Sequence, residues 1–89
     1  MTKLVRKVRV VNPQGLHTRP ATAIVKLLCN CKSDVRFQLK KDVVNAKSIL
    51  SLLMLAAAKN SVITVTIDGE DAEDMMAKVV HAFQTGFGE

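Results

Sequence analysis

The chain has 89 residues, 48% of them apolar, which suits one domain around a modest core and is too apolar for a disordered tract. With no Trp or Tyr, three Phe and no apolar run near the roughly 20 residues of a membrane span, it is poorly suited to base stacking or bilayer crossing. The net charge of +5 is unevenly divided: residues 1–50 hold eleven Lys or Arg against Asp34 and Asp42 (+9), and residues 51–89 hold Lys59 and Lys78 against six acids (−4). A basic surface of this kind attracts nucleic acid or an acidic protein partner.

The start, Met1-Thr2-Lys3-Leu4-Val5-Arg6-Lys7, lacks the apolar stretch and small-residue cleavage site of a secretion signal, so a cytosolic protein is expected. Lys7-Val8-Arg9-Val10 alternates with period two and predicts a first strand, extended by Leu4, Val5 and Val11. Asn12-Pro13-Gln14-Gly15 is a turn cluster. From Thr18 to about Cys29, Ala21, Ile24, Val25 and Leu28 recur at helical spacing. Cys29 and Cys31 lack the four ligands of a structural zinc site and read as free thiols near a helix end.

Val35, Phe37 and Leu39 alternate with Arg36, Gln38 and Lys40 in a second strand, and Val43-Val44-Asn45-Ala46 predicts a third across a Lys40-Lys41-Asp42 turn. Ser48 is a candidate N-cap for a short helix in which Ile49, Leu52, Leu53 and Ala56 keep helical spacing. Ile63, Val65 and Ile67 share one face of a fourth strand over Val62–Ile67, which Asp68-Gly69 ends. Asp71 is placed to cap a last helix carrying Ala72, Met75, Met76, Val79, Val80 and Phe83 on one stripe. The tail, Thr85-Gly86-Phe87-Gly88-Glu89, contains two glycines that favour a loose end.

The order β-α-β-β-α-β-α predicts an α+β fold, an open-faced β-sandwich with a four-stranded, mostly antiparallel sheet and three helices on one face. No linker, repeat or low-complexity tract divides it, so residues 1–89 are expected to form one domain.

The most informative stretch is Gly15-Leu16-His17-Thr18-Arg19-Pro20-Ala21. Pro20 donates no backbone hydrogen and fits a helix only in its first turn, which pins the start at about His17 or Thr18. The N–H groups of Thr18 and Arg19 then have no acceptor within the helix, and the helix dipole favours an anion in front of them. Arg19 adds a planar cation suited to phosphate oxygens. A histidine at that place can act as a nucleophile and keep its product bound, although a capping or merely exposed histidine satisfies the same pattern.

This stretch resembles, residue for residue, the phosphorylation-site signature of the HPr family, the histidine-containing phosphocarriers of the bacterial sugar phosphotransferase system. The element order is also that family's, and the resemblance covers essentially the whole chain. It implies that His17 accepts a phosphoryl group on Nδ1 from phosphorylated enzyme I and donates it to the A domain of a sugar-specific enzyme II, with Arg19 assisting at the phosphate. The implied protein is a carrier, a monomer that needs no cofactor or metal and binds neither nucleic acid nor membrane.

A second stretch, Asn45-Ala46-Lys47-Ser48-Ile49-Leu50, resembles the family's regulatory serine site, which in part of the family is phosphorylated by an ATP-dependent HPr kinase/phosphorylase. Ser48 is equally an ordinary helix cap. Ser51 and Ala57 stand where glycines are common in relatives from Gram-positive bacteria. Ile49, Leu50, Leu53 and Met54 cannot all be buried by a two-turn helix, and an exposed apolar patch there points to a partner surface, as the resemblance also implies. Two other readings remain at this point. One is the paralogous carrier of the nitrogen-related phosphotransferase system. The other is a small basic nucleic-acid binder, against which the missing Tyr, Trp and G-x-x-G clamp count.

Overall fold

The structure, a computed structural model, describes residues 2–89. Its elements run β1 (Thr2–Arg9), α1 (Thr18–Leu28), β2 (Asp34–Leu39), β3 (Asp42–Asn45), α2 (Ile49–Leu55), β4 (Val62–Gly69), α3 (Ala72–Gln84) and a 3-10 turn at Gly86–Gly88. The four strands form one sheet in the order β1-β4-β2-β3, and every neighbouring pair is antiparallel. β1 and β2 are therefore parallel with β4 between them, and β3 and β4 are parallel with β2 between them. The crossovers carry α1 and α2, and two interleaved crossovers lock the sheet together.

The alternating pattern decides which side of the sheet is covered. Ile63, Val65 and Ile67 of β4 and Val35 and Phe37 of β2 are fully buried against Ala21, Ile24 and Leu28 of α1, Leu52 of α2 and Val79 and Phe83 of α3. Their partners on the other face, such as Arg36 and Gln38, are exposed. This is the expected open-faced arrangement, with the helices on one side.

The three phenylalanines form a chain through the core. Phe37 meets Phe83 edge-on at 5.6 Å between ring centres, and Phe83 meets Phe87 in the same manner at 4.9 Å. The tail is accordingly held rather than loose, with Gly86 buried and Phe87 packed against the core.

Several local expectations shift. β1 ends at Arg9, and Val10 continues the pairing only through its N–H to Ser61 and its carbonyl from Asn60. β3 begins and ends one residue earlier than expected, because Ala46 turns inward and its N–H meets the Val35 carbonyl at 3.0 Å. β4 reaches Gly69, because Thr2 of β1 and Asp34 of β2 extend the pairing to that end. α2 stops at Leu55, and Ala56 takes a left-handed conformation (φ 53°) instead of continuing the stripe.

Asp71 stands at the N-cap of α3 but does not cap it. Its carboxylate crosses to the α1–β2 loop, where it accepts from the Lys32 N–H at 2.9 Å and from the Ser33 hydroxyl, with the Cys31 thiol 3.7 Å away. The Lys32 N–H, followed by the Ser33 hydroxyl, holds the Asp71 carboxyl below the usual carboxylate range. Burial pushes the Cys31 thiol up from its ordinary value. Cys29 and Cys31 are free thiols, and no cluster among the described residues could hold a metal ion. No helix among the described residues is long and apolar enough to cross a membrane.

Candidate functional site

The site is built from the turn that precedes α1. The Gly15 N–H closes the turn on the Asn12 carbonyl at 2.9 Å, and Gly15 itself has φ 70°. A Cβ there would lie 2.2 Å from the Ala57 carbonyl oxygen, so only glycine fits both the conformation and the space. The same Ala57 carbonyl accepts the Leu16 N–H at 2.9 Å, and Leu16 is buried. The loop after α2 thus fixes the residue immediately before His17.

His17 follows in extended conformation (φ −82°, ψ −166°) as the N-cap of α1, and its carbonyl accepts the Ala21 N–H at 3.0 Å. Its side chain makes no capping bond, and no acidic residue occupies the first turn. Pro20 is the third helical residue and has no N–H to satisfy. The donors at this helix end are Thr18 and Arg19, both exposed.

Glu89 completes the site from the far end of the described chain. Its Oε2 lies 3.2 Å from His17 Nε2 and 3.9 Å from Arg19 Nε. The buried Asn12 holds this tail in place, its Nδ2 donating to the Gly86 carbonyl at 2.9 Å and to Glu89 Oε1. Pro13, Gln14, His17, Arg19 and Glu89 line an open cleft of about 410 Å³. The His17 side chain is 30% exposed, that of Arg19 81%.

In a neutral imidazole, the nitrogen that faces a carboxylate carries the proton. Glu89 therefore favours the tautomer with hydrogen on Nε2 and the lone pair on Nδ1. The site gathers an imidazole whose Nε2 faces a carboxylate, two backbone donors at a helix start and an exposed cation on one small surface. Sequence reasoning singles out His17, Thr18 and Arg19, which the structure brings together. It misses Asn12 and Glu89, because nothing in the tail or in the turn cluster marks a pairing across the whole chain.

Ser48 is the N-cap of α2, its Oγ accepting the Ser51 N–H at 3.2 Å. Ile49, Leu50, Leu53 and Met54 are all exposed, Leu50 and Met54 by 68% and 75%, while Leu52 and Leu55 are buried. α2 packs beside α1.

An open-faced sheet under three helices in this order is also the architecture of solved HPr structures. Residues 4–85 match the family model described as "PTS HPr component phosphorylation site". The chain is 45% identical over 78 residues to phosphocarrier protein HPr of Chlamydia muridarum, covering 88% of this chain and 75% of that one. It is 36% identical over 86 residues to phosphocarrier protein HPr of Xylella fastidiosa, covering 97% of each. The crystal structure of HPr-C-His from Thermoanaerobacter tengcongensis superposes with a TM-score of 0.90 at 28% identity, over 100% of this chain and 98% of that one. The chain belongs to the HPr family of phosphocarrier proteins, whose members work within the phosphotransferase system with its other proteins.

Proposed function

We propose that this chain, acting as one HPr-like domain over residues 1–89, carries a phosphoryl group on Nδ1 of His17. It receives the group from phosphorylated enzyme I and passes it to the A domain of a sugar-specific enzyme II. The observation that carries this reading is the His17 ring at an uncapped helix start with its Nε2 directed at Glu89. In the receiving step the Nδ1 lone pair attacks phosphorus, and the bond to the enzyme I donor breaks with its electron pair leaving on the donor. The second transfer repeats this with His17 as the leaving group. The chain is thus a relay intermediate, needs no cofactor, and works as a cytoplasmic monomer.

Each neighbour has a role in that exchange. The Thr18 and Arg19 N–H groups and the Arg19 guanidinium receive the phosphate oxygens. Glu89 pairs with Arg19 only loosely, at 3.9 Å, so an arriving dianion can displace its carboxylate from the cation and take its place. Ile49, Leu50, Leu53 and Met54 form the apolar docking surface for enzyme I and the enzyme II domain. Ser48, at the rim of that surface, is the regulatory position for an HPr kinase/phosphorylase.

Phosphate incorporation from phosphoenolpyruvate and enzyme I tests this reading. His17→Ala should abolish acid-labile, base-stable labelling while changing stability by at most about 1 kcal/mol. Arg19→Lys should slow transfer without abolishing it, since lysine keeps the charge and loses the planar donors. Full labelling of the His17→Ala variant would remove the assignment.

A further inference from the structure

We propose that the outer edge of β1 and the groove between β1 and α3 form a docking site for an extended, acidic segment of a partner protein, which adds to the sheet beside β1. β1 is eight residues long and pairs with β4 on one side only, so its outer edge faces no strand, the Val5 carbonyl being met there by the Arg6 guanidinium at 2.8 Å. Beside that edge runs a groove. One stretch of about 420 Å³ lies between Leu4 and Arg6 of β1 and Met76 and Val80 of α3. A second of about 210 Å³ continues past Val8 to Phe83, and Val80 and Gln84 line both. None of the residues lining the groove lines the His17 cleft.

The alternation of β1 specifies what such a strand should look like. By the alternation of the strand Leu4, Arg6 and Val8 share the groove side and Lys3, Val5, Lys7 and Arg9 share the open side, Lys7 and Arg9 also bordering the second stretch of the groove. On the open side Lys7 lies opposite Thr64 and Arg9 opposite Val62, so neither has an acidic partner directly across the sheet, whereas Lys3 faces Asp68. No ion pair among the described residues involves Lys3, Arg6, Lys7 or Arg9. An added strand with apolar side chains toward the groove and carboxylates toward the open side satisfies both faces. Glu73 is the acidic residue at the groove, which Arg6 and His81 also line. A second copy of this chain fits badly, since pairing β1 with β1 sets cations against cations. An edge that served only to repel strands would carry the charge without the apolar channel.

The probe is a synthetic peptide of about six residues, the usual length of a strand, alternating glutamate and valine, titrated into the isotope-labelled full chain. Amide shifts should concentrate in residues 4–9 and 73–84, amides of β1 should gain exchange protection, and binding should weaken with salt. Ala77→Glu places a bulky anion in the groove from an exposed helix position and should lower affinity at least roughly tenfold. Lys7→Glu, where the cations of β1 border the second stretch of the groove, should do the same by reversing a charge that the peptide carboxylates would meet. Both variants should accept phosphate from enzyme I at the unmodified rate. An absence of shifts in β1, equal binding of a lysine–valine peptide, or a β1-paired dimer that Lys7→Glu strengthens would each overturn the proposal. If Ala77→Glu failed to fold, unchanged binding by Lys7→Glu would still overturn it.

Discussion

At the start of α2, Ser48 Oγ accepts the Ser51 N–H and consumes one of the helix's unpaired donors. At the start of α1, His17 stands in the equivalent position with similarly extended backbone, yet its side chain caps nothing. Its ring turns instead to Glu89, brought from the other end of the described chain by Asn12. One start is a satisfied structural joint. The other has no side-chain cap, and its turn is secured from outside the helix by Gly15, Leu16 and the Ala57 carbonyl. The difference teaches that a helix end can be left uncapped where its stability is supplied from elsewhere in the fold.

Gly15→Val should have the largest effect, because a side chain there meets the Ala57 carbonyl and forces a left-handed residue. The expected loss is about 2–5 kcal/mol in urea denaturation, from strain and overpacking together. Wild-type stability in that variant would mean that the turn is not what secures α1.

Ser48→Ala should cost about 0.5–2 kcal/mol, the usual range for losing a cap. Ser48→Asp should keep the melting temperature, because a carboxylate also caps and suits the dipole. On the proposed reading it should slow transfer to His17 at low salt, with the effect shrinking as salt rises. Unaltered transfer at low salt would leave Ser48 as a cap and no more.

The smallest effect is at α3, whose N-cap residue is diverted to a loop. The Asp71 carboxyl titrates below its unfolded value, so its contribution is present above the ordinary aspartate range and lost as pH falls through the folded value. The melting-temperature gap between wild type and Asp71→Ala should therefore be open at neutral pH and narrow below about pH 4. A gap that widened in acid would contradict the contact with Lys32 and Ser33.

Features legible in the sequence are those with local causes. The stripes of α1 and α3 follow from spacing, Pro20 places the first helix start, and Ser48 is a cap by residue type. Asp71 has the residue type and position of a cap, but its partners lie 38 and 39 residues earlier, in a loop. Glu89 reaches His17 because Phe87 packs on Phe83 and Asn12 holds the Gly86 carbonyl, contacts that no local pattern carries. Gly86 and Gly88, which favour a loose tail, instead supply positive φ values of 62° and 78° around its 3-10 turn. The apolar side chains of α2 were divisible only by tertiary packing, which buries Leu52 and Leu55 and leaves Leu53 out.

On the proposed function His17 presents Nδ1 as the phosphoryl acceptor while Nε2 keeps its proton toward Glu89, and nitrogen and phosphorus NMR of the imidazole ring tests this. The chain would be labelled at histidine and phosphorylated with phosphoenolpyruvate and enzyme I. The predicted result is a phosphorus–nitrogen coupling at Nδ1 of His17 and none at His81. Phosphate on Nε2, or on His81, would contradict the account.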